Sequence, residues 1–471
     1  MKFKGLAFFL FFIINSHAHA ELAKFLYEDK DAIQARADII QQAKREIIVE
    51  YFAVTEDDVS IGGISLLCEA SRKGVKVSVL LDAFASHVRD STIMSTYTAC
   101  KDKEGKTNIE FKKFNPLSLS KINQVLNRDH EKLLAIDGEV MIIGGRNVDA
   151  KYFGLDKKRN FKDLDIMLKG EVVATARAHF LNLWNENELV KPAKIDRFLE
   201  EKVGEFCNEN DDNYSNCMHS AKYRYKKSMD EVVEASKRME KIFRLMKKGK
   251  GAVTLETGKD WFSDAKEVNN VSFLANDSKK SVDSDNMHIS DGIYSIVKNA
   301  KSKVLILSPY LIPTARARQM FTGLINNGVK VTIITNSLKS TDNLFAQAGY
   351  KKYKNEMVEL GIELYEYDLV DTTHAKTAVI DDEIVLIGTY NLDSRSAVIN
   401  REIGIVIKDT LNSGLGLELT EIINKFKDQS ILVGKDKAHV NKDKQNTSVG
   451  VLKKGATEAL KVLVPLIEKQ L

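Results

Sequence analysis

T373-H-A-K-T-A-V-I-D-D-E-I-V-L-I-G-T-Y-N391 is the stretch that decides the fold class. Its alternation suits a strand, a two-residue turn at Asp381-Asp382 and a second strand ending at Gly388. Side chains two apart on a strand share a face, so His374 and Lys376 point one way while Ala375 and Thr377 point the other. An imidazole beside an ammonium suits a phosphate.

An earlier stretch repeats it: R128-D-H-E-K-L-L-A-I-D-G-E-V-M-I-I-G-G-R-N147, with a hairpin turn at Asp137-Gly138. Both copies read His-x-Lys-x4-Asp followed by Gly-x-x-Asn. The residues are His130, Lys132, Asp137, Gly144 and Asn147 in the first copy, and His374, Lys376, Asp381, Gly388 and Asn391 in the second. Every landmark is offset by 244 residues, so no insertion separates the landmarks within either copy. Chance can supply one His-x-Lys pair; two copies with matching Asp, Gly and Asn indicate duplication. His87, His179, His219, His288 and His439 lack the following lysine and aspartate and are read as surface or core residues.

Outward from the motifs, each half alternates helical and strand patterns, which is the rhythm of an α/β protein. A helical pattern over 31–44 precedes the strand Ile47 to Val54, and another over 63–73 precedes Val75 to Asp82. The second half repeats this with Val304 to Ser308 and Val329 to Thr335. Between the halves, Met229, Val232, Val233, Met239, Ile242, Phe243 and Met246 fall at helical spacing, predicting an amphipathic helix that packs on the body, with a membrane-surface helix as the alternative. The divisions expected are a signal peptide at 1–20, a first domain at 21–193, a connecting segment at 194–286, a second domain at 287–430, and a polar linker with a C-terminal segment at 431–471.

Lys2 and Lys4 precede an apolar run of about ten residues, and Ala18-His19-Ala20 offers a cleavage site, the pattern of a secretory signal. The run is shorter than the roughly 20 residues of a membrane-spanning helix. An exported protein, periplasmic or secreted and peripheral at a membrane, is expected. Loss of the two lysines takes the formal charge from +4 to +2, without the basic excess of a dedicated nucleic-acid binder. The four cysteines permit disulfides in such a compartment, and Cys207 with Cys217 is the expected pair. Cys68, inside a helical pattern, is read as a buried thiol.

The double motif resembles that of the phospholipase D superfamily, along nearly the whole mature length. That resemblance implies two duplicated α/β/α sandwich domains packed face to face, with the active site at their interface. It implies that one histidine attacks phosphorus and forms a phosphohistidine while the other moves the proton, and His130 is taken as the nucleophile by family analogy. Lys132, Lys376, Asn147 and Asn391 would offset the charge on the equatorial oxygens. Neutral imidazole suits both roles near neutral pH, and neither metal nor cofactor is required. Aligning F161-K-D-L-D-I-M-L168 with N400-R-E-I-G-I-V-I407 pairs Asp163 with Glu402. In the family an acidic residue here orients the imidazole, so Asp163 is assigned to His130 and Glu402 to His374, with Asp165 competing in the first half. Asp137 and Asp381 are expected to hold their turns.

The flanking stretches G144-G-R-N-V-D-A-K-Y-F-G154, S308-P-Y-L-I-P-T314, T335-N-S-L-K-S-T-D342 and L463-V-P-L-I-E-K-Q-L471 are similar to the bacterial cardiolipin synthase group, especially its type C members. Phosphatidyl transfer on phosphatidylglycerol or phosphatidylethanolamine at a membrane surface is therefore expected. The alternatives are a secreted phospholipase D releasing phosphatidic acid and a metal-independent periplasmic nuclease. Asp129 and Thr373, where the group has an apolar residue, and Gln347, where it has histidine, depart from the pattern.

Overall fold

Runs of Val, Ile and Leu bounded by Asp, Asn and Gly form strands that assemble into two sheets with one shared strand order. The computed structural model describes residues 20–117, 126–255, 258–276, 289–434, 451–461 and 464. The first nineteen residues of the expected signal, the linker 435–450 and Pro465 lie outside them.

In chain order the first half contributes β1 (Glu21–Leu26), β2 (Glu46–Tyr51), β3 (Lys76–Asp82), β4 (Ile109–Phe114), β5 (Lys132–Ile136), β6 (Val140–Gly144), β7 (Phe161–Lys162), β8 (Asp165–Lys169) and β9 (Val190–Pro192). β10 (Lys266–Val268) comes next and adds to the same sheet. The second half contributes β11 (Val271–Ala275), β12 (Lys303–Leu307), β13 (Lys330–Asn336), β14 (Glu363–Tyr367), β15 (Thr372–Thr373), β16 (Thr377–Ile380), β17 (Ile384–Gly388), β18 (Ile403–Ile407) and β19 (Ser430–Leu432). The sheets run β10-β1-β8-β6-β5-β2-β3-β4-β9 and β11-β18-β17-β16-β12-β13-β14-β19. Apart from β10, each strand of one sheet has its counterpart in the same place in the other. The boundary thus falls between β10 and β11, and β11 belongs to the second sheet although it lies within the segment expected to connect the halves.

The sheets share an apolar core. Leu133, Ile143, Ile166 and Phe180 of the first half form one buried cluster with Leu307, Val379, Ile387, Ile405 and Phe426 of the second. Burial of each such side chain contributes about 1.5–3 kcal/mol, so the halves are held together as a core is, not as mobile neighbours. The outer faces carry separate clusters under helices, giving each half its α/β/α layering. The helix Tyr214–Lys247 lays Met239, Ile242 and Met246 into the outer cluster of the first half, so its apolar stripe is core. Among the described residues no helix is long and apolar enough to cross a membrane.

Two disulfides, Cys68–Cys100 and Cys207–Cys217, are present. The first corrects the expectation of a buried thiol at Cys68. The helix Asp90–Ala99 ends against the helix that carries Cys68, and Cys100 directly follows it.

Candidate active site at the interface of the halves

The motif hairpins β5–β6 and β16–β17 turn through two residues with positive φ, Asp137 (56°) with Gly138 (68°) and Asp381 (54°) with Asp382 (58°). Such turns match strand twist. The first aspartate of each turn ties the neighbouring strand. Asp137 accepts backbone N–H bonds from Lys44, Arg45 and Glu46, and Asp381 accepts them from Lys301, Ser302 and Lys303. These acids hold the hairpin ends, away from the histidines.

Gly144 and Gly388 close the hairpins where the next strand crosses. A Cβ on Gly144 would come within 2.6 Å of the Asp165 Cα, and one on Gly388 within 2.3 Å of the Ile403 carbonyl oxygen. Only glycine admits that approach. It brings β8 and β18, with the acids just before them, alongside the motif strands.

Both halves then contribute to each histidine. The backbone N–H of His130 donates to the Arg401 carbonyl at 3.1 Å, and that of Arg401 to the Arg128 carbonyl at 2.9 Å. At the symmetry-related place β15 pairs with β7, and the His374 N–H donates to the Lys162 carbonyl at 2.8 Å. Residue 402 is therefore held against His130 and residue 163 against His374. Nδ1 of His130 lies 3.0 and 2.9 Å from the two carboxylate oxygens of Glu402, and Nδ1 of His374 lies 2.7 Å from Asp163 Oδ2.

The expected assignment is thus corrected: each carboxylate serves the histidine of the other half, because the backbone bridges run across the interface. Asp165 serves neither, being paired to Arg36 and Arg146 at 2.8 and 3.1 Å. With Nδ1 facing a carboxylate, each imidazole turns Nε2 toward the site, and at His374 the Lys376 ammonium shares that position at 3.1 Å.

The lysines complete the cluster. Lys132 Nζ donates to the His130 carbonyl at 2.7 Å, and Lys376 Nζ lies 2.9 and 3.1 Å from the two ring nitrogens of His374. All four side chains are buried. Burial lowers Lys132 to about 7 and Lys376 to about 8, against the pull of nearby carboxylates, with the two ammonium groups also opposing each other at Lys132. Burial and then Lys132 push His130 well below its ordinary range; burial and then Lys376 lower His374, which Asp163 partly offsets. The acids diverge. Burial would raise Asp163, but the charge and hydrogen bond of His374 hold it at about 2, whereas burial carries Glu402 up to about 7.

Asn147 donates to the Tyr152 hydroxyl at 2.8 Å and accepts from the Ala53 N–H at 3.3 Å. The Asn391 side-chain oxygen is buried without a hydrogen-bond partner among the described residues. Aromatic walls that no motif announced enclose the imidazoles: Phe52 stands 4.8 Å from the His130 ring, and Tyr152 and Phe161 stand 5.2 and 5.4 Å from the His374 ring. Ser396 and Asn400, also unforeseen, donate to Glu402 at 2.6 and 3.3 Å. Of the histidines set aside, His179 pairs with Glu131 at 2.8 Å beside the site; His288 and His439 lie outside the described residues.

Behind His130, one oxygen from each of the buried acids Glu50, Asp129 and Glu131 lies within 4.8 Å of the others. Arg401 stands 3.4 Å from Glu131 Oε1, and burial followed by the neighbouring Glu131 charge keeps Glu50 and Asp129 well above the usual carboxylate range. Asp129, the departure noted in the sequence, is thereby accounted for as part of a buried polar knot.

The chain matches the family described as "Cardiolipin synthase, PLD-like domain" over residues 37–184 and 293–429. It is 26% identical to cardiolipin synthase C of Escherichia coli, over 81% of this chain and 80% of that protein. An uncharacterised protein of Helicobacter pylori is 28% identical over 82% of this chain and 76% of its own length. The crystal structure of phosphatidylserine synthase from Haemophilus influenzae superposes with a TM-score of 0.63, covering 96% of this chain and 98% of that one at 15% identity, a likeness of fold. With two interlocked motif copies and a family match that takes in both, the chain belongs to the cardiolipin synthase, PLD-like domain family, as a duplicated enzyme of the phospholipase D superfamily.

Proposed function

We propose that the protein is a phosphatidyltransferase of cardiolipin synthase type that works through a phosphohistidine. The observation that carries this reading is the crossed pair of imidazoles, each held at Nδ1 by a carboxylate of the other half and flanked by a buried lysine. His130, kept neutral by burial and by Lys132, attacks phosphorus through Nε2 as the bond to the headgroup oxygen breaks. His374, whose partner Asp163 stays ionised, gives its proton to the departing alkoxide. An incoming lipid hydroxyl then returns a proton to His374 while its oxygen displaces His130 from phosphorus. Lys132, Lys376, Asn147 and Asn391 offset the charge on the phosphoryl oxygens.

The acceptor we propose is the headgroup hydroxyl of phosphatidylglycerol, with phosphatidylglycerol or phosphatidylethanolamine as donor, at a membrane surface. The secretory-signal pattern expected from residues 1–20 and the two disulfides support an exported, oxidising location. Purified protein incubated with vesicles of both lipids, with products read by lipid mass spectrometry, tests the reading. Cardiolipin is expected; phosphatidic acid alone would replace transfer by hydrolysis.

A further inference from the structure

The chain segments that follow the equivalent strands β3 and β13 differ in chemistry. Beyond β3 the chain presents Phe84, 61% exposed, with the Arg128 guanidinium 5.8 Å from its ring. Leu126, two residues before Arg128, is 39% exposed, its carbonyl accepting a 3.4 Å bond from Arg395. These exposed apolar side chains suit acyl chains, while Arg128 itself is buried and paired with Asp82 at 3.4 Å.

Beyond β13, in the equivalent place of the second half, the residues 337–343 are anchored from three sides. Asn336 bonds both to the Thr373 carbonyl at 2.8 Å and to its N–H at 3.0 Å, which fixes the strand end to the residue before His374. The Thr372 hydroxyl donates to the Ser340 carbonyl at 2.6 Å. Arg159 of the first half donates to the carbonyls of Thr341 and Lys339 at 3.0 and 2.9 Å, and Lys453 of the C-terminal helix bonds the same two carbonyls at 3.1 and 3.3 Å.

This rigid loop displays the exposed carboxylate of Asp342. The Tyr310 hydroxyl donates to it at 2.9 and 3.2 Å, and no ammonium or guanidinium pairs with it among the described residues. Its charge acts on His374, Lys376 and Tyr152. A fixed anion beside a site for an anionic diester opposes donor binding by Coulomb repulsion. Its compensating value is as a hydrogen-bond acceptor, for hydroxyl or ammonium groups that a phosphate-binding lysine cannot satisfy.

Resting on the phosphatidyl transfer proposed above, we propose that Asp342, oriented by Tyr310, recognises the headgroup of the acceptor and brings its reacting hydroxyl to His374. The chemistry shared by candidate acceptors is a polar donor one or two carbons from that hydroxyl: a second hydroxyl in a glycerol headgroup, or the ammonium of ethanolamine. The phosphatidyl group waits on His130, on the side of Phe84 and Leu126. The acceptor enters from the side of Asp342, as the first headgroup left.

The test uses the full chain with phosphatidylglycerol vesicles and, in parallel, deuterated glycerol or deuterated ethanolamine as acceptor. Labelled phospholipid, cardiolipin and phosphatidic acid are quantified together. In Asp342→Asn the ratio of transfer to hydrolysis should fall roughly tenfold or more, with the KM for the acceptor rising, as expected for loss of a charge-assisted hydrogen bond. Tyr310→Phe should move the ratio the same way by a smaller factor. A larger fall with glycerol than with ethanolamine assigns the site to polyols, and the reverse assigns it to ammonium headgroups. An unchanged ratio in both variants, or parallel loss of transfer and hydrolysis in both, overturns the inference while leaving transfer intact. Wild-type protein that yields only phosphatidic acid overturns the transfer reading and the acceptor site together.

Discussion

The two halves share a strand order, a motif and a hairpin geometry, yet they treat their histidines differently. His374 faces one oxygen of Asp163, an ionised carboxylate held at about 2. His130 faces both oxygens of Glu402, which Ser396 and Asn400 also engage and which burial carries to about 7. Duplication supplies two equivalent frames; small changes around them then give the two imidazoles the unequal surroundings on which the proposed division into proton carrier and neutral nucleophile rests. Because each acid crosses to the opposite half, neither half holds a complete catalytic unit.

Removing either imidazole gives the largest effect. His130→Asn and His374→Asn should each lower turnover by about four orders of magnitude, as loss of a nucleophile or its base does. Mixing the two variant proteins should restore nothing, since both histidines must lie in one chain. Recovery on mixing would break the account of a site closed within the monomer.

The acids come next. Asp163→Asn should lower kcat by about a thousandfold, because it removes the charge that supports protonated His374. Glu402→Gln should lower kcat by roughly ten- to a hundredfold, since an amide replaces a carboxyl that already binds its proton near neutral pH. Equal losses would erase the asymmetry between the halves.

A pH profile sharpens the comparison further. Lys132 and Lys376 titrate at about 7 and about 8, far below ordinary lysine, and it is the ammonium form that binds phosphate. Both charges are present at low pH and are lost as pH rises through these values. The kcat/KM for donor lipid, which reports the free enzyme, should therefore fall above about pH 8, and beyond the loss of the His374 proton the two lysines should contribute a log slope approaching −2. Lys132→Met should reduce that slope to about −1. A flat alkaline limb in the wild type would mean that the lysines keep their charge.

The smallest expected effect concerns stability. Both disulfides lie before β11, and the second sheet has none. With its cysteines separated by 32 in sequence, the Cys68–Cys100 link should contribute about 3–4 kcal/mol in the chain-entropy description, and Cys207–Cys217, separated by 10, somewhat less. Denaturant unfolding of Cys68→Ala/Cys100→Ala against Cys207→Ala/Cys217→Ala should rank them in that order.

What could be read from the chain was local or periodic. The 244-residue echo exposed the duplication, and Asp137-Gly138 and Asp381-Asp382 announced hairpins through their turn chemistry. The crossing of Asp163 and Glu402 could not be read, because internal alignment sets each half beside itself and says nothing about backbone bridges between halves. Cys68 sat in a helical pattern that suits a buried thiol equally well; only the end of the next helix brings Cys100 to it. The walls Phe52, Tyr152 and Phe161 carry no spacing signal, since they reach the imidazoles from three separate segments. Asp342 lay within a stretch resembling relatives, but the anchoring of its loop depends in part on Arg159 from the other half.

The central claim is that one phosphodiester is handled by both halves, with His130 bonded to phosphorus and His374 moving the proton. A phospholipid with a p-nitrophenyl headgroup tests it, because that leaving group departs without proton donation. Incubated with His374→Ala and quenched in alkali, which preserves phosphohistidine, it should give a burst of nitrophenol approaching one equivalent and a phosphatidyl adduct on the peptide containing His130. His130→Ala should give neither. An adduct on His374 in the His130→Ala protein, or no burst in either variant, would contradict the account.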